Sequence, residues 1–418
     1  MQEKVITLAT PVFFLLIFLE LAVGAWRRQH NYRVNDAINS LSLGVLSQVT
    51  GVFTRLLRIG IYAWLVEHVA LFRLPADSMW VWITGLFLYD FCYYWLHRAG
   101  HEVNVLWAAH VVHHQSEAYN LSTALRQTSS GVLLGWLFYT PMALLGYPVE
   151  VFAAVGLIDL LYQFWVHTEQ VGKLGWFDRV FVSPSNHRVH HAVNDIYLDK
   201  NYGGILVLWD RMFGTFIEER DDTPVVYGTR SPLRSWNPLW ANLEVYQAIW
   251  MDAWRARRWR DKLKVWISRP GWQPPDVAAR YPSTPFDIHR PLYDPALTRG
   301  EQSYCLAQFA LVLLATTHFL SGYGRFDAGE LAAYAAWITA GLWIIGGLLE
   351  RRLSYVVAES LRLLASAAGV LWTGGWFGPL ALAQTMQAGF ALAACASLAA
   401  LWIIFKPSPT GHGYFSRQ

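Results

Sequence analysis

Long apolar runs separated by shorter polar stretches occur along most of the chain, and they predict membrane-spanning helices. A helix needs about 20 apolar residues to cross a bilayer. The runs that approach or exceed this length are residues 5–25, 43–71, 79–97, 131–147, 149–167, 303–321, 331–349, 355–373 and 378–404. The pattern therefore predicts an all-α integral membrane protein built as a multi-span helical bundle.

Three of these runs have special features. The first is long for a signal-peptide core and lacks an obvious small-residue cleavage site, so we expect it to be retained as a span. The run 43–71 is interrupted by Arg55 and Arg58 and is expected to be tilted, broken or partly interfacial. Residues 131–167 are typical of a helical hairpin that turns at Gly146-Tyr147-Pro148.

The pattern also predicts two domains. Residues 1–302 form a membrane domain whose soluble part is mainly 168–302, and residues 303–418 form a C-terminal transmembrane bundle. In the soluble part, the basic aromatic stretch 254–266 predicts an amphipathic helix at the membrane surface, with a solvated basic helix as the alternative. The proline-rich stretch 269–295 predicts an extended connector over a site.

Lysine and arginine positions predict the orientation, because cytoplasmic loops are enriched in them. If nine spans alternate, the basic residues after spans one, seven and nine share one side with segment 168–302. That side is expected to be the cytoplasm, so the soluble part would form a cytoplasmic helical cap rich in histidine.

Composition supports a membrane protein and excludes several other classes. Charged residues make up 15% of the 418 residues, against about 25% in an ordinary soluble domain. The net charge of +3 gives no indication of nucleic-acid binding. Cys92, Cys305 and Cys395 lie in or beside apolar runs without a CxxC motif, which argues against disulfides and a zinc–thiolate site.

Nine of the 14 histidines lie between residues 97 and 191. They occur as His97-x-x-x-His101, His110-x-x-His113-His114, His167 and His187-x-x-His190-His191. Residues three or four apart share one face of a helix, so each cluster should present its imidazoles in one direction. Ser183 and Pro184 predict a helix start just before the last cluster.

The predicted topology brings these histidines to one face of the membrane. Imidazole binds zinc, copper, iron and nickel, and one zinc ion takes about four ligands. The set of imidazoles exceeds the needs of one ion, so we expect two metal ions with open positions for small molecules. A nearly all-histidine site leaves the cation charge uncompensated, which favours a high-potential oxidant.

Three other interpretations of the histidines were weighed. They could be unrelated core or surface residues, although clustering on helical faces argues against this. A zinc protease is disfavoured because no glutamate follows His97 in the HxxxH motif. A non-enzymatic metal-binding protein or transporter would favour ligands at mid-membrane, whereas these histidines lie at span ends and in cytoplasmic segments.

Polar residues near the histidines are candidates to orient them or to contact substrate. Metal-bound histidines usually donate their second N–H to a carboxylate or carbonyl. Helix spacing places Asp90 on the face of His97, and it places Gln163 and Asp159 on the face of His167. The further candidates are Glu102, Glu117, Asn120, Glu169, Asn194 and Asp195. Each could instead be a satisfied polar residue at the interface.

The motifs "HRAGH", "HVVHH" and "HRVHH" resemble the HxxxH, HxxHH and HxxHH boxes of the membrane fatty acid hydroxylase and sterol desaturase superfamily. Residues 93–127, 160–169, 183–216 and 225–233 further resemble a narrower group in it that cleaves ether lipids. The resemblance is strong over about residues 80–300 and looser towards the end of the chain.

This resemblance implies a di-iron enzyme. The box histidines would bind two iron ions, with His167 as a further ligand and Glu102 as a catalytic residue near the metals. The implied reaction uses O2 and tetrahydrobiopterin to hydroxylate the carbon next to the ether oxygen of an alkylglycerol-type lipid, and the product collapses to a fatty aldehyde. Asn186 stands where a histidine is expected, but outside the HxxHH spacing.

The implied partners are a membrane lipid, O2 and an electron donor, which is a reduced pterin or a redox protein. A lipid chain would come from the bilayer into a groove lined by Phe91, Tyr94, Trp95, Phe164 and Trp165. A sterol or fatty-acid hydroxylase or desaturase would use the same histidines and stays open as an alternative. The oligomeric state and the role of the C-terminal helices also stay open.

Overall fold

The apolar runs fold into α-helices. A computed structural model describes residues 2–378 and 381–406, except that the side chains of residues 2–9, Arg55 and Arg58 lie outside this description. Within the described residues there is no strand, only isolated β-bridges such as the one between Phe181 and Leu206. The predicted all-α fold is confirmed.

The chain divides after Asp294 into two compact units. The helices of the first unit are α1 Gln2–Arg27, α2 Val34–His68, α3 Met79–Glu102, α4 Asn104–His114, α5 Leu121–Ala124, α6 Val132–Gly135, α7 Thr140–Leu144, α8 Val149–Trp165, α9 Pro184–His190, α10 Leu208–Met212, α11 Pro238–Arg255, α12 Trp259–Ile267 and α13 Pro275–Ala278. Those of the second unit are α14 Arg299–Gly322, α15 Ala328–Leu349, α16 Leu353–Thr373 and α17 Gln384–Ile404. Short 3-10 helices lie at Trp136–Tyr139, Phe177–Arg179 and Tyr323–Arg325.

Among the described residues, five helices are long and apolar enough to cross a membrane. They are the Thr10–Arg27 part of α1, α14 with its following turn, α15, α16 and α17. Helix α2 adds a sixth if its parts Val34–Thr54 and Ile59–His68, bent by 40°, count as one span. The chain is therefore a multi-pass membrane protein, as predicted.

The prediction of nine spans is wrong. Helix α3 carries Asp90 within it and ends on the polar residues Arg98 and Glu102, while α8 has only 17 residues. Residues 131–147 form no single helix, because α6, a 3-10 turn and α7 follow one another there. The alternation of nine spans consequently no longer supports the orientation of the chain.

Aromatic packing holds α2, α3 and α8 together in the first unit. The rings of Tyr62 and Phe152 stack with centroids 3.9 Å apart, and those of Tyr89 and Tyr139 stack at 4.6 Å. Such pairs add to the stabilisation from buried apolar area. The turn before α8 requires Gly146, whose φ is +80° and where a Cβ would lie 1.9 Å from the carbonyl oxygen of Phe72. This core fixes the end of α3 that carries the first histidines.

The basic aromatic stretch 254–266 is not one helix, contrary to the prediction. It is divided between α11 and α12, and Ala256 is buried at the corner between them. Val265 of α12 packs against Ile249 of α11 and Ala108 of α4, which explains why the two helices fold back on each other. Trp254 and Trp259 remain exposed.

The proline-rich connector contains only the short helix α13 and is otherwise irregular, as predicted. Its far end is held by polar contacts. The backbone N–H of Tyr293 donates to Glu117 at 2.8 Å, and Asn35 of α2 donates to Asp294 at 2.8 Å. The connector thus lies against the segment that directly follows α4.

In the second unit, a buried ion pair lies between α16 and α14. Arg362 of α16 donates to Glu359 at 2.8 and 2.7 Å and to Gln308 of α14 at 2.9 Å. Buried charges are tolerated when they are paired and hydrogen-bonded in this way. The pair accordingly links α16 to α14 inside the bundle.

Candidate metal centre

Four segments carry the clustered histidines. Helix α3 carries His97 and His101 in its last two turns, and α4 carries His110, His113 and His114. Helix α9 carries His187 and His190, and His191 is its C-cap. His167 follows the end of α8.

The start of α9 is formed as predicted. The hydroxyl of Ser183 accepts the N–H of Asn186, Pro184 occupies the first turn, and the Asn186 side chain accepts the backbone N–H of Ser183. This reciprocal pair satisfies N–H groups that a helix start leaves free. Asn186, which departs from the expected histidine, therefore has a capping role in this chain.

The nine histidines form two groups. Group one contains His97, His101, His110, His114 and His190, and group two contains His113, His167, His187 and His191. In each group, one ring nitrogen from every member lies within 4.8 Å of those of the others. The sequence predicted convergence of all nine, and the structure adds how they divide.

Helix geometry explains the division. His113 and His114 are adjacent in α4 but belong to different groups, because consecutive residues point about 100° apart around a helix. His110 and His114, four residues apart, share group one. The same holds at α9, where His190 belongs to group one and His191 to group two. Each HxxHH motif therefore supplies both groups.

Backbone carbonyls fix the orientation of four rings. The Nδ1 atom of His97 lies 2.8 Å from the carbonyl oxygen of Tyr202, and that of His113 lies 3.0 Å from the carbonyl oxygen of Arg126. The Nδ1 atom of His167 lies 2.7 Å from the carbonyl oxygen of Gln163, and that of His190 lies 3.1 Å from the carbonyl oxygen of Lys200. A carbonyl oxygen only accepts, so Nδ1 carries the proton in each of these rings. When such a ring is neutral, its Nε2 presents a lone pair.

The arrangement of the Nε2 atoms fits bound cations. Nε2 of His167 lies 3.1 Å from Nε2 of His113, although both rings are protonated on Nδ1. Two lone pairs at this distance repel each other unless a cation lies between them. Two imidazole nitrogens bound to one ion at about 2.1 Å would be about 3.0–3.4 Å apart, for bond angles between a right angle and the tetrahedral angle. The separation observed in group two falls within this range.

Other distances between Nε2 atoms in the two groups are similar. In group one, Nε2 of His110 lies 3.1 Å from Nε2 of His97 and 3.0 Å from that of His114. In group two, Nε2 of His187 lies 3.0 Å from that of His167 and 3.2 Å from that of His191. Nε2 of His101 and of His190 are buried without a partner among the described residues. Both groups thus have the nitrogen donors that a metal cofactor requires.

Burial favours the neutral form of several of these imidazoles, which is the form that binds metals. Desolvation lowers the pKa of His110, His114, His187, His190 and His191 well below the usual range, and neighbouring imidazoles add to this effect. Desolvation also lowers the pKa of His113 to about 4. An imidazole-only set of this kind suits iron, zinc, copper or nickel. The assignment of the individual histidines as ligands stays a prediction.

The polar candidates of α3 and α8 mainly brace the helices. Asp90 accepts the N–H groups of Ile205 and Leu206 at 2.7 and 3.1 Å, together with the indole N–H of Trp209 at 2.8 Å. It therefore anchors the loop after Tyr202. The side chain of Gln163 accepts from Tyr93 at 2.7 Å and donates to Asp159 at 2.7 Å. Gln163 reaches His167 through its carbonyl.

The three glutamate candidates contact groups other than the histidines. Glu102 accepts from Arg98 at 3.0 Å and lies 3.8 Å from Arg269. Glu117 accepts from Arg290 at 3.1 Å and from the backbone of Tyr293, as described above. Glu169 is exposed and accepts the hydroxyl of Tyr227 at 3.0 Å.

The remaining candidates organise loops. Asn120 caps α5 by accepting the N–H of Ser122 and donates to the carbonyl of Asn31 at 2.8 Å. Asn194 bridges to the carbonyl of Pro224 at 3.0 Å and to the N–H of Val226 at 2.9 Å. Asp195 pairs with Arg230. Roles of all these residues in catalysis or substrate binding stay predictions.

The structure adds residues that the sequence did not single out. Tyr202 is fully buried with its ring 5.3 Å from that of His101, and its hydroxyl has no partner among the described residues. Tyr119 stacks on His167 at 5.6 Å. A carboxylate oxygen of Asp199 lies 3.7 Å from Nδ1 of His101. Tyr119 and Tyr202 lie in stretches noted above only for their resemblance.

The five aromatic residues predicted to line one groove lie in separate clusters. Phe91, Tyr94 and Trp95 pack around Phe213. Phe164 packs against Phe13 of α1 at 4.4 Å, and Trp165 packs against Tyr162 and Phe177.

Comparison with known proteins places this centre in a family. The model of the Fatty acid hydroxylase family matches residues 82–215, which include all nine clustered histidines. Alkylglycerol monooxygenase of Homo sapiens is 37% identical over 85% of this chain and 80% of its own length, and that of Danio rerio is 37% identical over 92% and 86%. An ornithine lipid hydroxylase of Rhizobium tropici is 32% identical over 32% and 41%.

No solved structure matches the chain. The likeness to the two monooxygenases extends well beyond the histidine motifs and covers most of both relatives. The chain therefore belongs to the alkylglycerol monooxygenase family and contains a fatty acid hydroxylase domain.

Proposed function

We propose that this protein is a di-iron, O2-dependent lipid monooxygenase that hydroxylates the ether-adjacent carbon of alkylglycerol-type lipids. The observation that carries the proposal is the convergence of nine histidines, seven of them buried, into two groups, in a chain similar to alkylglycerol monooxygenases over most of its length. Group one would hold one iron and group two the other. Bound iron would supply the redox chemistry that activates O2.

The protein's own residues prepare these sites. The carbonyl groups of Tyr202, Lys200, Arg126 and Gln163 hold four rings by Nδ1, so that their Nε2 atoms would be available to bind the metal ions. Such outer contacts fix the tautomer and raise the basicity of a ligand. The dense packing of the histidines excludes water that would quench a strong oxidant.

The overall reaction balances with one oxygen molecule and two electrons. One oxygen atom is inserted into the C–H bond beside the ether oxygen, and the other leaves as water with two protons. The resulting hemiacetal breaks its C–O bond to give a fatty aldehyde and glycerol. A reduced pterin such as tetrahydrobiopterin is the proposed two-electron donor, with a redox protein as the alternative donor.

We place the histidine groups at the cytoplasmic face. Arg27, at the end of the first span, donates to the carbonyl of Gln170 at 2.7 Å, three residues after His167. Arg28 and Arg33 follow Arg27 in the sequence. Basic residues beside a span favour the cytoplasmic side, and the contact with Gln170 brings the end of that span close to group two.

We further propose that residues 1–302 carry out the chemistry and that 303–418 form a separate membrane bundle. Glu102 remains the proposed catalytic side chain, together with substrate or orienting roles for the polar residues described above. The similarity to an ornithine lipid hydroxylase keeps a related lipid hydroxylase as the second candidate. A sterol or fatty-acid desaturase would use the same histidine groups.

The test is expression of the full chain in a membrane, followed by purification with its metals. Elemental analysis should find about two iron ions per chain. Alkylglycerol, a sterol and a fatty acid would be supplied separately with reduced pterin, and products and oxygen uptake measured. Fatty aldehyde formed from alkylglycerol alone supports the proposal. If only the sterol or the fatty acid is oxidised, the proposed substrate class is wrong and that lipid takes its place. A purified protein without iron would refute the proposed di-iron enzyme.

A matched pair of variants controls for unspecific damage. His114→Ala removes a group-one nitrogen, and His289→Ala removes an exposed histidine outside both groups. We expect aldehyde formation to be lost in the first variant and retained in the second.

A further inference from the structure

Glu20 is a buried acidic residue inside the first membrane span. It belongs to the Thr10–Arg27 part of α1 and is 6% exposed. Phe18 and Leu19 beside it are 64% and 57% exposed, so the Glu20 side chain faces the protein rather than its surface. Ionisable residues within a span are costly and are therefore candidates for a functional role.

Three donors from other segments meet the Glu20 carboxylate. Its Oε2 accepts the hydroxyl of Tyr32 and, at 2.8 Å, the backbone N–H of Leu121. Its Oε1 accepts the hydroxyl of Thr168. A carboxylate can accept several hydrogen bonds at once, and each fixes the position of its donor. The carboxylate therefore joins the loop after α1, the start of α5 and the residue that follows His167.

Thr168 is held on two sides. Its hydroxyl accepts the N–H of Gln170 at 3.1 Å and donates its own proton to Glu20. Its carbonyl accepts from Arg188 of α9 at 3.0 Å. Since consecutive residues share a planar peptide group, the position of Thr168 constrains the backbone of His167.

His167 depends on such contacts more than other members of group two do. His113 and His187 lie within α4 and α9, whereas His167 lies beyond the end of α8. Its Nδ1 contact with Gln163 orients the ring, but no helix continues through its backbone. We propose that Glu20 is a positioning residue for group two, which holds His167 in place through Thr168.

Other residues of α1 contact the same segment. The ring of Phe13 lies 4.4 Å from that of Phe164, and Arg27 donates to the carbonyl of Gln170 at 2.7 Å. Phe13, Glu20 and Arg27 are seven residues apart, which is about two helical turns, so they lie along one face of α1. The first span thus contacts the chain on both sides of His167.

Three substitutions separate positioning from general stability. Glu20→Gln keeps the size of the side chain, but its NH2 group replaces an oxygen that accepts a hydrogen bond. Thr168→Val keeps the branched shape and removes the hydroxyl that donates to Glu20. Tyr32→Phe is the matched control, because it removes a hydrogen bond from the same carboxylate in the loop after α1.

The test adds cobalt(II) to the metal-free full chain in detergent and measures binding by equilibrium dialysis and the visible spectrum. Imidazole binds divalent ions of this series. Two backgrounds report one group each. Replacing His113 and His191 by alanine leaves group one, and replacing His101 and His114 by alanine leaves group two. The role of Glu20 rests on the proposed metal groups, and this measurement needs no oxygenase activity.

In the group-two background, Glu20→Gln and Thr168→Val should each weaken cobalt binding by about 10–100-fold. Tyr32→Phe should leave it unchanged. The double variant of Glu20 and Thr168 should bind about as Glu20→Gln does, because both changes break the same hydrogen bond. In the group-one background, all three substitutions should leave cobalt binding unchanged.

The positioning role is overturned if Glu20→Gln binds cobalt normally at group two, or if it weakens both groups equally. Equal weakening by Tyr32→Phe would also overturn it. If Glu20→Gln does not fold, Thr168→Val decides, since it leaves the carboxylate in place. Absence of cobalt binding in both backgrounds would refute the metal groups themselves, which distinguishes that failure from failure of the Glu20 role.

Discussion

The carbonyl oxygen of Arg126 lies 3.0 Å from Nδ1 of His113, and Arg126 as a whole is only 1% exposed, so that its guanidinium is buried. That guanidinium donates to the carbonyl of Val112 at 2.6 Å and to Asn39 of α2 at 2.7 Å. Burial lowers the pKa of Arg126 to about 10, so the side chain remains charged at neutral pH. Arg126 thus orients a group-two imidazole and joins α4 to α2.

Replacing Arg126 should therefore weaken both the fold and group two. Arg126→Met removes several charge-assisted hydrogen bonds and leaves buried acceptors unpaired, which should cost about 3 kcal/mol of stability. Thermal unfolding in detergent and metal content would be measured, with the exposed Arg280→Met as control. Equal behaviour of the two variants would contradict this role of Arg126.

Close backbone packing next to Arg126 gives a second prediction. A Cβ at Gly44 of α2 would lie 2.4 Å from the carbonyl oxygen of Leu125, whereas a Cβ at Gly51 of the same helix would meet nothing within 4 Å. Gly44→Ala should be destabilising by about 2 kcal/mol because backbone must move. Gly51→Ala should be neutral or stabilising by about 0.5–1 kcal/mol, since alanine favours helix. Thermal unfolding of both variants would be measured in detergent. A Gly44→Ala protein as stable as the wild type would exclude this close packing.

The division of the histidines predicts how metal content responds to double substitutions. His113 and His191 belong to group two, so replacing both by alanine should leave one ion per chain, held by group one. His113 and His114 belong to different groups, so replacing both should remove both ions. Elemental analysis of the purified variants measures this, with His289→Ala as control. The same metal content in the two double variants would rule out the division.

The ion pair of Arg188 provides a further prediction. In α9, Arg188 lies between His187 of group two and His190 of group one. It binds Glu219 through two hydrogen bonds of 2.9 and 2.7 Å. It also donates to the carbonyl of Thr168, next to His167, at 3.0 Å. Arg188→Lys should cost about 2 kcal/mol, because lysine cannot form this paired geometry in a buried place.

Arg220 supplies the matched control for that change. It binds Asp222 with the same paired geometry, at 2.9 and 2.6 Å, but both side chains are exposed. Exposed pairs contribute little, so Arg220→Lys should change stability by less than about 0.5 kcal/mol. Unfolding midpoints in denaturant would be compared, and similar losses in both variants would argue against burial as the cause.

Replacing Glu102 distinguishes a role in catalysis from a role in metal binding. Its recorded contacts are with Arg98 and Arg269, so Glu102→Gln should retain both metal ions. If Glu102 acts in catalysis, aldehyde formation should still fall by about 100-fold. Activity and iron content would be measured together, with the exposed Glu218→Gln as control. Full activity in Glu102→Gln would remove this residue from the proposed catalytic site.

Local sequence was sufficient for some features. Helices could be predicted because apolar runs and helix starts such as Ser183-Pro184 act over a few residues. The histidines could be recognised because their spacing defines a helical face. The number of spans could not be predicted in the same way, since apolar residues in α7 and α8 pack into a protein core as readily as into lipid.

The sequence by itself determined that the chain is helical, lies in a membrane and carries many imidazoles on a few helical faces. Only the tertiary structure decided which imidazoles share a group, because that depends on how α3, α4, α8 and α9 are rotated against one another. It also decided that backbone carbonyls, rather than the nearby carboxylates, orient four of the rings. Every residue has a carbonyl group, so no residue type indicates in advance which of them will meet a histidine.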